Sequence, residues 1–122
     1  MKENVVKKKS FDFAVRIVKL YQFLNEDKRE FILSKQLLRS GTSVGAMVRE
    51  AEHAESMADF KHKMAIAQKE MNESIYWLEL LKETDFLNEN QFLSINKNAV
   101  EIIKILTSIL KTSKKREIWK IS

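Results

Sequence analysis

The sequence predicts an all-α protein, an antiparallel up-and-down four-helix bundle, and three observations carry that expectation. The 122 residues include no proline and only two glycines, so the chain is almost free of helix breakers. Its apolar residues recur at spacings of three and four, the period of one helix face. Short polar connections separate four such segments, and short connections make each helix run against the next. A chain of this length forms a single domain with a sizeable core.

The first helix is expected over about 11–25. Ser10 stands where an N-cap belongs, Phe13, Ile17, Leu20 and Leu24 share one face, and the run NEDKRE stops the pattern. The second helix is expected over about 31–54, with Leu37, Leu38, Val44, Val48 and Ala51 on its apolar side. Both glycines, Gly41 and Gly45, fall in mid-pattern. Glycine inside a helix costs about 1 kcal/mol relative to alanine, so two of them on one face need a reason. The preferred reason is a close helix crossing, with a turn at RSGTS as the alternative.

Ser56 predicts the next N-cap, with Asp59 at the carboxylate position of a capping box. The third helix then runs over about 57–84 through Phe60, Met64, Ala67, Met71, Ser74, Leu78 and Leu81, and ETDFLNEN supplies the turn. A fourth helix is expected over about 89–113, with Phe92, Ile95, Ala99, Ile102, Leu106 and Ile109 inward and a basic tail at 114–122. That helix carries further apolar residues, Val100, Ile103, Ile105 and Leu110, which widen its apolar arc beyond a core-facing third. Tyr76 and Trp77 add to the third helix in the same way. These residues predict contact with another copy of the chain; the alternative is that they thicken one monomer's core.

Chemistry is sparse. The chain has no cysteine, so disulfides and thiolate metal sites are excluded. GTSVG is neither a P-loop nor a dinucleotide fingerprint. Glu50-Ala-Glu-His53 has the Glu-x-x-His spacing of di-iron bundles, and Asp59-Phe-Lys-His62 imitates it. Such a site also needs inward carboxylates on the other two helices, where only Asp12 and Glu101 are available. Neither a metal, a cofactor nor an enzymatic activity is therefore expected. The N-terminus lacks a signal-peptide core, and no stretch reaches the roughly 18 uncharged residues that a membrane span needs. A cytoplasmic protein with no membrane partner is the expectation.

Charge is what remains. The chain is +5 overall, and its excess lies at the two termini. Residues 1–9 hold four lysines against one glutamate, and residues 111–122 hold five basic residues against one glutamate. In an up-and-down bundle both termini lie at one end, which makes Lys7, Lys8, Lys9, Lys114, Lys115, Arg116 and Lys120 the candidate nucleic-acid contacts. Arg39 and Arg49, on the second helix, are further candidates. Opposing this, Glu50, Glu52, Glu55 and Asp59 share that end, and lysine-rich termini also serve solubility.

QLLRSGTSVGAMVREA, then DFKHKMAIAQKEMNESIYWLELL, then IIKILTSILKTSK, together resemble the S23-type or ribosomal intervening-sequence family over about Phe11 to Lys114. Members are small bacterial proteins, encoded within extra segments of large-subunit ribosomal RNA genes or elsewhere, and the family includes the accessory protein of diversity-generating retroelements. The resemblance implies a four-helix bundle assembling as a homo-oligomeric ring, typically a pentamer, without enzymatic activity. It also implies a role in binding RNA or DNA, or in docking a nucleic-acid enzyme such as a reverse transcriptase. Gln36, Arg39, Ser43, Ala46 and Glu50 fit the family's central motif. Met47 and Arg49 depart from it, standing where asparagine and alanine are usual.

Overall fold

The computed structural model describes the backbone of residues 2–121 and the side chains of residues 2–113. Four helices account for nearly all of it: α1 (Lys2–Glu26), α2 (Leu33–Glu52), α3 (Met57–Glu83) and α4 (Glu89–Ile121). Each packs on its neighbours in chain order and α4 closes back on α1, so the helices stand at the corners of a square. Bonded pairs fix the directions. Ser40 meets Ser74 while Glu50 meets Lys63, and Arg16 meets Ser94 while Lys9 meets Glu101. Numbers rising on one helix fall on the next, as antiparallel packing requires.

The core is the one the periodicity marks out. Phe13, Ile17, Leu24, Leu37, Val44, Met64, Met71, Leu78, Leu81, Ile102 and Leu106 are fully enclosed. The Ser56 N-cap on α3 forms as read, Asp59 N–H donating to Ser56 Oγ at 3.0 Å, while the Asp59 carboxylate accepts from Glu55 N–H at 3.2 Å rather than from Ser56. Asn88 and Gln91 make a capping box on α4, each backbone N–H reaching the other's side-chain oxygen at 2.8–2.9 Å.

Two helix ends differ from expectation. α1 begins at Lys2 rather than near residue 11, and Ser10 is a buried interior residue rather than a cap. Val6, seven residues before Phe13, is enclosed in the core, and its burial carries the helix back through the lysines. α4 likewise runs past 113 to Ile121, after Ser113 continues its buried series.

The two glycines mark a crossing of α1 over α2. A Cβ on Gly41 would lie 2.9 Å from Ile17 Cγ1, and one on Gly45 would lie 3.3 Å from the Ser10 carbonyl oxygen. Serine at position 10 keeps that side of α1 small; its hydroxyl is satisfied by the Lys7 carbonyl at 3.1 Å. The close approach compensates for poor helix propensity with backbone-level packing.

The start of α2 depends on Glu30. Its carboxylate accepts the N–H groups of Ile32, Leu33 and Ser34 at 2.7–3.2 Å, and the Ser34 hydroxyl returns a bond to the Glu30 carbonyl. Burial raises the carboxyl's pKa, but the three backbone donors and the Ser34 hydroxyl outweigh it and hold the group below the ordinary glutamate value. A depressed folded-state pKa contributes stability above the unfolded value of about 4.3, and that contribution fades as pH falls through the folded one. Glu30→Ala is expected to cost about 1 kcal/mol at neutral pH. Thermal melts through the acid range should show wild type and variant converging; a gap unchanged by acid would remove the carboxylate from the explanation.

Candidate nucleic-acid interface

Lys7, Lys8 and Lys9, the predicted lysines whose side chains are described, do not form one patch. Successive residues on a helix are turned by about 100°, so Lys7, Lys8 and Lys9 point in three directions. Lys7 pairs with Glu52 of α2 at 3.1 Å, Lys8 with Asp12 of its own helix at 2.9 Å, and Lys9 with Glu101 of α4 at 2.8 Å. The Lys9 ammonium holds the Glu101 carboxyl below its ordinary value. Exposed pairs of this kind contribute little to stability and yield readily to a competing anion. Glu52, anticipated as a neutralising residue, does take one of the three lysines. Lys114, Lys115, Arg116 and Lys120 lie outside the described side chains.

Arg39 and Arg49 sit apart from these and from each other. Arg49 lies over the Phe11 ring, 5.1 Å from its centroid, on the α1–α2 side. Arg39 faces α3 and contributes to the environment of Glu70, whose carboxyl is pushed up by burial and by Glu73 and drawn down by Lys69 and Arg39. The two arginines therefore serve different faces.

Counting by helix rather than by chain end reveals the asymmetry. Among the described side chains, α1 and α4 together carry nine basic and five acidic residues, whereas α2 and α3 balance seven against seven. α1 and α4 are neighbours, so one pair of adjacent helices carries the excess, although Lys7 turns toward α2. Two lines of cations run there at seven-residue spacing: Lys2, Lys9 and Arg16 on α1, and Lys97, Lys104 and Lys111 on the outer surface of α4. Lys19, Lys104 and Lys111 have no ion pair or hydrogen bond among the described residues. This surface escaped a reading that summed charge at the termini, although both heptad lines are visible in the sequence.

The same side holds a cleft. α1 and α4 make the least intimate of the four helix contacts, and toward the turn end they part to leave an open hollow of about 480 Å³. Leu20, Phe23 and Ile95 give it an apolar floor, with Arg16 and Lys19 on one rim and Asn90 and Gln91 on the other. The Arg16 guanidinium is held by the Ser94 carbonyl at 3.2 Å, the Ser94 hydroxyl at 2.9 Å and the Asn98 side-chain oxygen. All three acceptors are neutral. The guanidinium is thus oriented without being neutralised, an arrangement suited to an anion.

The residues expected at an oligomer interface fall on two edges. Gln68 of α3 donates to Thr107 of α4 at 2.8 Å, which places Val100, Ile103 and Leu110, on the same α4 face as Thr107, along the α3–α4 seam. Tyr76 and Trp77 stack edge to face at 5.0 Å away from that seam, where the Trp77 indole donates to Glu73 of the same helix at 3.3 Å. The sequence reading passed over a third apolar strip. Phe11, Val15 and Val18 stand 39–51% exposed on α1 toward α2.

No described helix is long and apolar enough to cross a membrane. Among the described residues no three histidine or carboxylate side chains gather as a metal site would require.

Fold and site thus define a four-helix bundle with one basic long side. The chain belongs to the 23S rRNA-intervening sequence protein family, whose model matches residues 2–108. A solved structure, a protein of unknown function from the S23 ribosomal protein family of Bacteroides thetaiotaomicron, is 58% identical. It superposes with a TM-score of 0.90, covering 91% of this chain and 99% of that one. No curated protein matches.

Proposed function

We propose that the protein is a non-enzymatic, cytoplasmic, ring-forming RNA- or DNA-binding protein whose contact surface is the α1–α4 side of the bundle. The observation that carries this reading is the uncompensated charge along α1 and α4, with Arg16 held by neutral acceptors at its centre. Membership of a family named for an intervening sequence of ribosomal RNA supports structured RNA as the ligand. A fluorescent RNA hairpin titrated at low salt tests it: binding should be tight there and collapse as salt rises, because lysine–phosphate contacts act by releasing counterions. Absence of binding at low salt would refute it.

A ring is part of the same proposal. A cyclic ring joins two different faces of every subunit. Here an apolar strip lies on the α1–α2 side (Phe11, Val15, Val18) and another along the α3–α4 seam (Val100, Ile103, Leu110), on opposite sides of the square. Joining them head to tail leaves the α1–α4 side uncovered and repeats its charge around the axis, in a pentamer five times. Light scattering at micromolar concentration should give an oligomer for wild type and a smaller species, equally helical, for Val18→Glu and Val100→Glu. A monomeric wild type would defeat the ring.

A protein-binding scaffold that docks a nucleic-acid enzyme is the second reading. Phe31 and Ile32, 51% and 75% exposed side by side in the α1–α2 turn, favour it. A hairpin-blind protein that captures a polymerase through this turn would select it.

A further inference from the structure

The open cleft between α1 and α4 has a composition that a plain phosphate-binding surface does not need. Phosphates require cations; they do not require an apolar floor or amides. Here Phe23 lies at the bottom beside Leu20, with the Lys28 ammonium 5.9 Å from its ring centroid. Of the five N–H donors of Arg16, three are engaged and two remain for an incoming oxygen. On the opposite rim, Gln91 uses only its side-chain oxygen, on Asn88, and the Asn90 amide makes no hydrogen bond among the described residues. An anion site, an aromatic face and unspent amide donors and acceptors thus border one hollow of about 480 Å³, within the range of small-molecule pockets.

We propose that this cleft receives a single unpaired nucleotide from a loop or bulge of a bound RNA. The base lies on Phe23, its polar edge meets Asn90 and Gln91, and the adjoining phosphate meets Arg16 and Lys19. A paired helix cannot fill the hollow, because its bases are stacked on one another and only the backbone faces outward; an extruded nucleotide offers a flat apolar face and an unused hydrogen-bonding edge. This inference rests on the nucleic-acid reading above and adds to it a preference for unpaired bases.

The test uses the full-length protein and two hairpins with the same stem, one carrying a single bulged 2-aminopurine and one fully paired. Wild type should bind the bulged hairpin on the order of ten-fold more tightly, as stacking of one base on an aromatic ring predicts, and the probe's emission should change on binding. Phe23→Leu keeps an apolar side chain at the floor but loses the flat face, and should bring the affinity ratio close to one. Asn90→Ala, at an exposed position, should reduce the ratio without any demand on folding; circular dichroism checks both variants. Equal binding of the two hairpins by wild type, or a ratio that survives both substitutions, would overturn the cleft while leaving RNA binding intact. Failure of both hairpins to bind at low salt would overturn the nucleic-acid reading itself, and the cleft proposal with it.

Discussion

Gly41→Leu is expected to destabilise the bundle by about 2 kcal/mol, although it replaces glycine with a better helix former. Leaving glycine should gain about 1 kcal/mol in helix propensity. Against that, the first added carbon would lie 2.9 Å from Ile17 Cγ1 and 3.0 Å from Cγ2, closer than carbon atoms pack. Ile17 is fully buried, and its β-branching leaves it one favourable χ1 rotamer in a helix, so it has nowhere to turn. Overpacking of this kind costs roughly 1–3 kcal/mol for modest insertions, and leucine adds a whole side chain. The melting midpoint should fall by roughly 8 °C. Ile17→Ala empties the space the leucine needs, so the double variant should lose less than the sum of the two single losses. A higher midpoint for Gly41→Leu would mean that α1 and α2 do not cross tightly there.

The helix faces were legible because burial follows period. Every residue read as inward on α3 between Met64 and Leu81, and on α4 between Phe92 and Ile109, is buried. The start of α1 was not legible from Ser10 alone, since a serine hydroxyl bonds as well to a carbonyl three residues back as to a free N–H ahead. Val6 held the missing information, at a heptad step from Phe13. The glycine question was answerable only in part. Spacing showed that Gly41 and Gly45 share a face, and the structure supplies what faces them.

The lysines summed at the N-terminus separate in space for a different reason. Summing lysines at the termini treats position along the chain as position in space, which holds for tails but fails once residues 2–10 are helical. Rotation about the helix axis then separates Lys7, Lys8 and Lys9, while it aligns Lys2, Lys9 and Arg16. The interface residues show the same effect. Trp77 and Val100 both widen an apolar arc, and Trp77 packs against the core of its own chain, yet the α3 axis lies between them.

Neutralising Arg16, Lys19, Lys97 and Lys104 together, each by glutamine, is expected to weaken binding of a structured RNA by two orders of magnitude or more at low salt. If each cation meets one phosphate, the slope of log affinity against log salt should become shallower by roughly 0.7 to 0.9 per residue, or about 3 in all. The loss should be similar for RNAs of different sequence, because these contacts reach phosphates rather than base edges. Fold should survive, since Lys19 and Lys104 are exposed with no bonded partner among the described residues and Arg16 bonds only to neutral acceptors. Two comparison variants locate the surface. Lys114→Ala/Lys115→Ala/Arg116→Ala removes the basic tail, and Arg39→Ala/Arg49→Ala removes the α2 arginines. If the contact surface is the α1–α4 side, the quadruple variant loses most, the tail variant loses a part set by its three charges, and the α2 variant stays close to wild type. Should the tail variant abolish binding while the quadruple variant keeps the wild-type slope, the ligand sits on the bundle end that carries the termini. Should only the α2 variant fail, the working face includes α2, at Arg39 near Glu70 or at Arg49 over Phe11, and the heptad lines of lysine serve solubility alone.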